Sequence, residues 1–235
     1  MKTPRRLTVG QLARMMDLSA VRADVELDEV HRLAETCKHY GCICAFVMPC
    51  YLTELKKQLA DAPEVGIGAV VGFPSGAVST ATKVQEVREQ IAQGAVEADM
   101  VINVGMLRSE GDEFVENDIR AVVDAAGGVP VKVILEAHWL SDEQLIRGCQ
   151  LAVRAGAKFV KTGTGWAETG ATLENVKLMK DTVGDAAEVK AAGGVRDLDT
   201  VLAMIRLGAT RFGVGLGSGM RILEECATSP DGVVV

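Results

Sequence analysis

Short apolar runs recur along the chain with stretches of helical periodicity between them. The runs are "CICAFVMP", "VGIGAVVGFP", "EADMVINVG", "VPVKVILEA", "AKFVKTGTG", "AEVKAAGG" and "ATRFGVGLG". Their length and the Gly or Pro punctuation that follows predict seven strands, covered on both faces as in a parallel sheet. An eighth strand is expected at "RMMDLSAV", ahead of a first helix at "ELDEVHRLAETCKHYG", where Leu27, Val30, Leu33 and Ala34 form an apolar stripe at helical spacing. Later helices announce their starts. Ser141 with Gln144 three residues on reads as a capping box, and Thr172 heads "TLENVKLMK". Strand and helix alternating eight times predict a (β/α)8 barrel, the TIM-barrel class of α/β fold. A doubly wound open sheet would show the same alternation, but it calls for a Gly-rich fingerprint after its first strand, and here "GVGLGSG" lies at the far end of the chain.

Composition narrows this further. A chain of 235 residues, 48% of them hydrophobic, buries a sizeable core, and no Pro/Ser-rich or low-complexity stretch divides it. Residues 1–235 are therefore expected to form a single barrel domain, with loose ends at "MKTPRR" and "SPDGVVV". A formal net charge of -7 argues against a protein that coats nucleic acid or an anionic membrane, so the expected partner is a small molecule, and a homo-oligomer is compatible with the pattern. Gln11 and Arg14 interrupt any apolar signal core, and no run approaches the roughly 18 apolar residues of a spanning helix. A cytoplasmic location is expected. Cys37, Cys42, Cys44 and Cys50 crowd together, with Cys149 and Cys226 further on; they read as reduced thiols, Cys42 and Cys44 filling core on one strand face. With only His31, His39 and His138 as nitrogen donors, no metal site is expected.

The candidate chemistry comes from charges placed inside apolar strands. Side chains two apart on a strand point the same way. Asp99 thus shares a face with Val101 and Asn103, Lys132 with Ile134 and Glu136, and Lys161 with Phe159, while Lys190 lies mid-strand in "EVKAAGG". One such lysine could snorkel to water or fill a polar layer. Three lysines with one aspartate at similar depth imply more, because clustered cations make at least one ammonium easier to deprotonate, and a neutral lysine is a nucleophile for carbonyls. Lys161 is the candidate Schiff-base nucleophile, with Lys190, Asp99 and Lys132 as catalytic partners. A second constellation is glycine-rich: "AAGGVRD" and "GVGLGSG" follow the last two strands, where such barrels often hold phosphate at helix starts. Thr164, Gly165, Gly193, Gly194, Gly217 and Ser218 are the candidate substrate- and phosphate-binding residues, with Arg196 as a supplement. His138 is a minor acid–base candidate, and Trp139 and Trp166 either wall the pocket or cap the core.

From about Met15 to Leu223 the chain resembles the deoxyribose-phosphate aldolase family, through "FPSGAVSTATKVQEV", "EADMVINVGML", "VKVILEA", "GAKFVKTGTGWAETGAT" and "VKAAGGVRDLDTVLAMI". The resemblance implies that Lys161 is the Schiff-base lysine, Lys190 the cation that lowers its pKa, Asp99 the proton-relay carboxylate and Lys132 a further polar member. It also implies cleavage of 2-deoxyribose 5-phosphate to glyceraldehyde 3-phosphate and acetaldehyde, with no cofactor or metal. The chain departs from the pattern around the site. The family's Asp-His-Thr becomes Asp17-Leu18-Ser19, Cys-Val-Asn-Pro becomes "FVMP" with Phe46 and Met48, Glu-Thr becomes Glu136-Ala137, and the last phosphate turn is two residues longer. Three alternatives stay open on sequence: a Schiff-base aldolase for another phosphorylated sugar or keto substrate, a metal-dependent aldolase, and a non-catalytic phosphosugar-binding barrel.

Overall fold

A computed structural model describes residues 6–235. A short strand β1 (Arg6–Leu7) and helix α1 (Val9–Ala13) lead into β2 (Met16–Ala20), α2 (Leu27–Tyr40), β3 (Cys44–Val47), α3 (Leu52–Gln58), β4 (Gly66–Val71) and α4 (Thr80–Gln93). Then follow β5 (Glu97–Val101), α5 (Val104–Arg108), α6 (Asp112–Ala125), β6 (Val131–Ile134), α7 (Asp142–Arg154), β7 (Phe159–Lys161) and α8 (Leu173–Val183). The chain ends with β8 (Glu188–Ala192), α9 (Leu198–Arg206), β9 (Ala209–Gly215), α10 (Leu216–Ala227) and β10 (Val233–Val234). Strands β2 to β9 pair in sequence order, all parallel, and β9 returns to β2 to close the barrel. The predicted (β/α)8 barrel is the observed fold, and each of the eight predicted strands supplies one of its staves. Among the described residues, no helix is long and apolar enough to cross a membrane.

Local chemistry sets the helix starts. Ser141 and Gln144 form the predicted capping box of α7, and the Thr172 side chain accepts from the Asn175 N–H at the start of α8. On α2, Val30, Leu33 and Ala34 are buried as expected, but Leu27, the first residue of the helix, is 53% exposed. The ends also differ from expectation. Arg6–Leu7 pairs antiparallel with Val233–Val234, and Leu7 is buried, so the tail of "SPDGVVV" is tied down; residues 1–5 of "MKTPRR" lie outside the described range. All six cysteines are unpaired. Cys42 and Cys44 do not share a surface, since β3 begins only at Cys44: Cys42 packs in the layer between strands and helices, Cys44 inside the barrel with Phe46 and Val70.

One buried ion pair fastens a helix to the stave that carries Asp99. Lys83 on α4 is fully buried and donates to Asp118 on α6 at 2.6 Å and to the Val101 carbonyl at 2.9 Å, two residues beyond Asp99 on β5. Removing one member of such a pair strands the other charge in a low-dielectric interior, which costs more than the pair itself contributes. Lys83→Met is accordingly expected to destabilise the protein by about 3–5 kcal/mol. In Lys83→Met/Asp118→Leu most of that loss should return. Urea unfolding of the three proteins is the check, and equal losses in the single and double variants would refute it.

Candidate active site

The barrel interior carries a layer of seven acidic and basic side chains. Parallel register sets Asp99 beside Lys132 and Lys161 beside Lys190, and an irregularity at Val189/Lys190 sets Lys190 opposite Arg211. Asp99 is the hub: its Oδ2 accepts from Lys161 Nζ and Lys190 Nζ, both at 2.6 Å, and its Oδ1 from Lys132 Nζ at 3.1 Å. Below it, Lys132 donates to Glu97 Oε2 at 2.6 Å, and Arg211 spans both Glu97 oxygens at 2.9 and 3.1 Å while reaching Asp17 Oδ1 at 2.7 Å. Lys190 Nζ also stands 2.6 Å from Asp17 Oδ2. Three carboxylates (Asp17, Glu97, Asp99) thus face four cationic groups (Lys132, Lys161, Lys190, Arg211).

With four bases to three acids, one positive charge is in surplus. Burial disfavours a charged Lys132, but Asp99, Asp17 and Glu97 outweigh it and hold its pKa above the ordinary lysine value. Burial likewise works against ionised Asp99, yet the ammoniums of Lys132, Lys161 and Lys190 hold it well below the usual carboxylate range. Lys161 goes the other way. Burial, opposed by Asp99 and reinforced by Lys190 and then Lys132, lowers its pKa to about 8. It is 7% exposed while Lys132 and Lys190 are 0% and 1%, so of the three lysines it is the most open to the cavity. The neighbouring cation implied by sequence therefore acts in the expected direction, although burial is the larger cause.

A narrow cavity of about 30 Å³ lies over Lys161, lined also by the apolar Phe46, Val70, Phe73 and Ala192 and by the charged Lys190 and Asp17. Ser19, Val21, Thr164 and Gly213 line it too, and the same four line a larger outer cavity of about 190 Å³, so the two are continuous. The outer one is bordered by Gly165, Gly193, Gly194, Arg196 and Ser218, as the glycine pattern led one to expect, together with Arg22 and Gly215. Gly193 and Gly194 have φ of +81° and +87°, a conformation that a side chain disfavours, and the turn they make leaves backbone open to a ligand. Gly215 is the N-cap of α10, so the N–H groups of Leu216, Gly217 and Ser218 lack acceptors within the helix. Gly217 itself does not line the cavity; Gly215 and Ser218 do.

Several side chains found other places. Asn103 was expected to share the inward face of Asp99, but β5 stops at Val101 and Asn103 caps α5, accepting from the Met106 N–H at 3.0 Å. Glu136 leaves β6 through a left-handed backbone (φ +44°) and accepts from the Thr164 N–H and hydroxyl, so it anchors the loop after Lys161. His138 bonds Thr169 at 2.6 Å and does not line either cavity. Trp166 walls the outer cavity and donates to the Val21 carbonyl at 3.0 Å, whereas Trp139 faces a separate hollow beside Pro74. Sequence reasoning passed over Glu97 and Arg211. Both obey the period-two rule, Glu97 two residues before Asp99 and Arg211 two before Gly213. Asp17, Cys44 and Glu97 bring three potential ligand atoms within 4.8 Å of one another, but the carboxylates already bind Lys132, Lys190 and Arg211, and burial holds the Cys44 thiol well above its usual pKa. That donor set suits an ion-pair network and not a divalent metal.

Comparison with known proteins agrees with this geometry. A deoxyribose-phosphate aldolase of Klebsiella pneumoniae is 46% identical over 226 residues, covering 95% of this chain and 91% of that one. Deoxyribose-phosphate aldolase 1 of Bacillus licheniformis is 48% identical over 222 residues, covering 94% and 98%. Among solved structures, a tetrameric deoxyribose phosphate aldolase from Aeropyrum pernix superposes with a TM-score of 0.85 at 29% identity, covering 93% of this chain and 92% of that one. The model of the DeoC/LacD family aldolases matches residues 10–224, nearly the whole described barrel. Agreement of that extent, in sequence and in fold, means that the chain belongs to the DeoC/LacD family of aldolases.

Proposed function

We propose that this aldolase cleaves 2-deoxyribose 5-phosphate to glyceraldehyde 3-phosphate and acetaldehyde, and catalyses the reverse addition, through a Schiff base on Lys161. The observation that carries the reading is Lys161 itself: a buried amine, its pKa lowered to about 8 chiefly by burial, lining the narrow cavity that is continuous with the outer one. The family names of the relatives support the substrate. The reading takes residues 1–235 as one barrel domain. A tetrameric relative supports a homo-oligomer, and six unpaired cysteines support a reducing, cytoplasmic setting.

In the cleavage direction neutral Lys161 Nζ attacks the aldehyde carbon of the open-chain sugar, a C–N bond forms and water leaves, giving a protonated imine. A base takes the proton of the C3 hydroxyl, the C2–C3 bond breaks, and its electron pair flows into the imine to leave an enamine while glyceraldehyde 3-phosphate departs. Protonation at C2 and attack by water release acetaldehyde and restore Lys161. Asp99 is suited to relay and not to storage of protons. Its carboxylate is held strongly ionised between Lys161 and Lys190, so it holds a proton only in passing between Lys161 and water in the cavity, Lys190 being already an ammonium. The outer cavity receives the 5-phosphate, with backbone N–H groups at the start of α10, the Ser218 hydroxyl and the Arg22 and Arg196 side chains around it.

Borohydride reduction with acetaldehyde, followed by peptide mapping, is expected to place the adduct on Lys161. Lys161→Leu should remove both adduct and turnover; an adduct on Lys132 or Lys190 in the native protein would overturn the assignment. The phosphate cradle has its own test. Two charge-assisted hydrogen bonds of about 1.5 kcal/mol each correspond to roughly a hundredfold, so kcat/KM for 2-deoxyribose 5-phosphate should exceed that for 2-deoxyribose by about that factor. Equal values would remove the cradle from the account.

A further inference from the structure

Phe46 occupies the barrel interior in a way that leaves it no freedom to yield. It pairs in register with Gly68 on β4, and a Cβ added to Gly68 would stand 2.2 Å from its ring carbons, so the ring lies flat against bare backbone. On the other side, Lys190 Nζ stands 4.4 Å from the ring centroid and Lys132 Nζ 4.9 Å, both attracted to the ring face. Backbone on one side and two tethered ammoniums on the other wedge the ring in place. With Val70, Phe73 and Ala192 it forms the apolar wall of the cavity over Lys161.

That cavity is the narrow inner end of a continuous space, so its width bears on which groups can lie beside Lys161. About 30 Å³ of room, where one water-sized group needs roughly 10–15 Å³, accommodates two or three such groups. Once Lys161 Nζ is bonded to the donor's carbonyl carbon, the substituents on that carbon and on its neighbour must lie along the wall. An extra methyl on either one competes for that room, which the ring of Phe46 borders.

We infer that Phe46 is a specificity-determining residue that confines the carbon donor to a two-carbon aldehyde. The inference rests on the Schiff-base reading of Lys161. It concerns a position where the chain departs from the pattern of the family it resembles, and it assigns to that departure a narrowing of donor range while the acceptor's phosphate is held in the separate, larger cavity of about 190 Å³. The sulfur of Met48, two residues on, is not needed for the effect, because Met48 does not line the donor cavity.

The experiment measures aldol addition to glyceraldehyde 3-phosphate with acetaldehyde, propanal and propanone as competing donors, in the native protein, Phe46→Leu and Phe46→Ala. The native enzyme should favour acetaldehyde over each larger donor by about 10–200-fold in kcat/KM, the discrimination one methyl group commonly gives. In Phe46→Ala that ratio should fall at least about tenfold, with Phe46→Leu between. Each ratio is internal to one preparation, so partial loss of folded protein cancels, and Phe46→Leu retains most of the volume should Phe46→Ala fold poorly. Unchanged ratios in the variants, or a native enzyme that takes propanone as readily as acetaldehyde, overturn the inference. Borohydride trapping of the native protein with acetaldehyde separates the two possible failures. With no adduct, the Schiff-base reading falls and takes the donor assignment with it; with an adduct and unchanged ratios, only the role of Phe46 falls.

Discussion

Three carboxylates cannot neutralise four cations, and the closed barrel of β2 to β9 holds all seven groups away from bulk water. Each buried ion carries a desolvation penalty of several kcal/mol unless partners compensate it. Lys132 touches Asp99 and Glu97, Arg211 touches Asp17 and Glu97, and Lys190 touches Asp17 and Asp99. Lys161 touches Asp99 alone, an anion already shared with two other ammoniums. The surplus proton is therefore cheapest to lose from Lys161, through its burial first and the crowding of cations around Asp99 second.

The same layer constrains the apolar part of the site. Lys132 and Lys190 are fixed by their carboxylates, Phe46 is fixed against Lys132 and Lys190, and Gly68 gives the ring its seat. Charge pairing and shape selection are thus parts of one structure: the groups that tune the amine also hold the wall that faces it. The outer cavity is built on different physics, from the positive-φ turn at Gly193–Gly194 and the open start of α10, and it joins the inner cavity through Ser19 and Thr164. A substrate with a reactive aldehyde at one end and a phosphate at the other matches that division.

Much of this was legible in the sequence, for a stated reason. A charge inside an apolar strand is anomalous, so Asp99, Lys132, Lys161 and Lys190 stood out, and alternation gave eight staves even where "RMMDLSAV" was weak. Glu97 and Arg211 were less visible. Glu97 opens its strand, where a carboxylate could equally face water, and Arg211 lies next to the exposed Thr210. Only barrel closure, which brings β9 against β2 and across from β5, shows that both point inward to the same lysine layer. Asn103 and Glu136 were placed on strand faces by extrapolating an alternation that stops at Val101 and Ile134. Strand ends depend on what packs beyond them, and that is tertiary information. The pairing of Arg6–Leu7 with Val233–Val234 is equally non-local, joining the two ends of the described chain.

The account stands on Lys161 being the amine that gives up its proton because burial, and with it a surplus cation in the layer, disfavours its charge. Nitrogen NMR of the Lys161 Nζ, titrated against pH in the native protein and in Lys190→Leu, measures this directly. Native Lys161 should titrate near 8, against an ordinary value of 10.5. Removing Lys190 takes away the surplus charge and leaves Asp99 more to Lys161, so the titration should move upward, stopping short of the ordinary value because burial still opposes the charge. A native midpoint at or above 10.5, or a midpoint that stays put or falls in Lys190→Leu, would contradict the account.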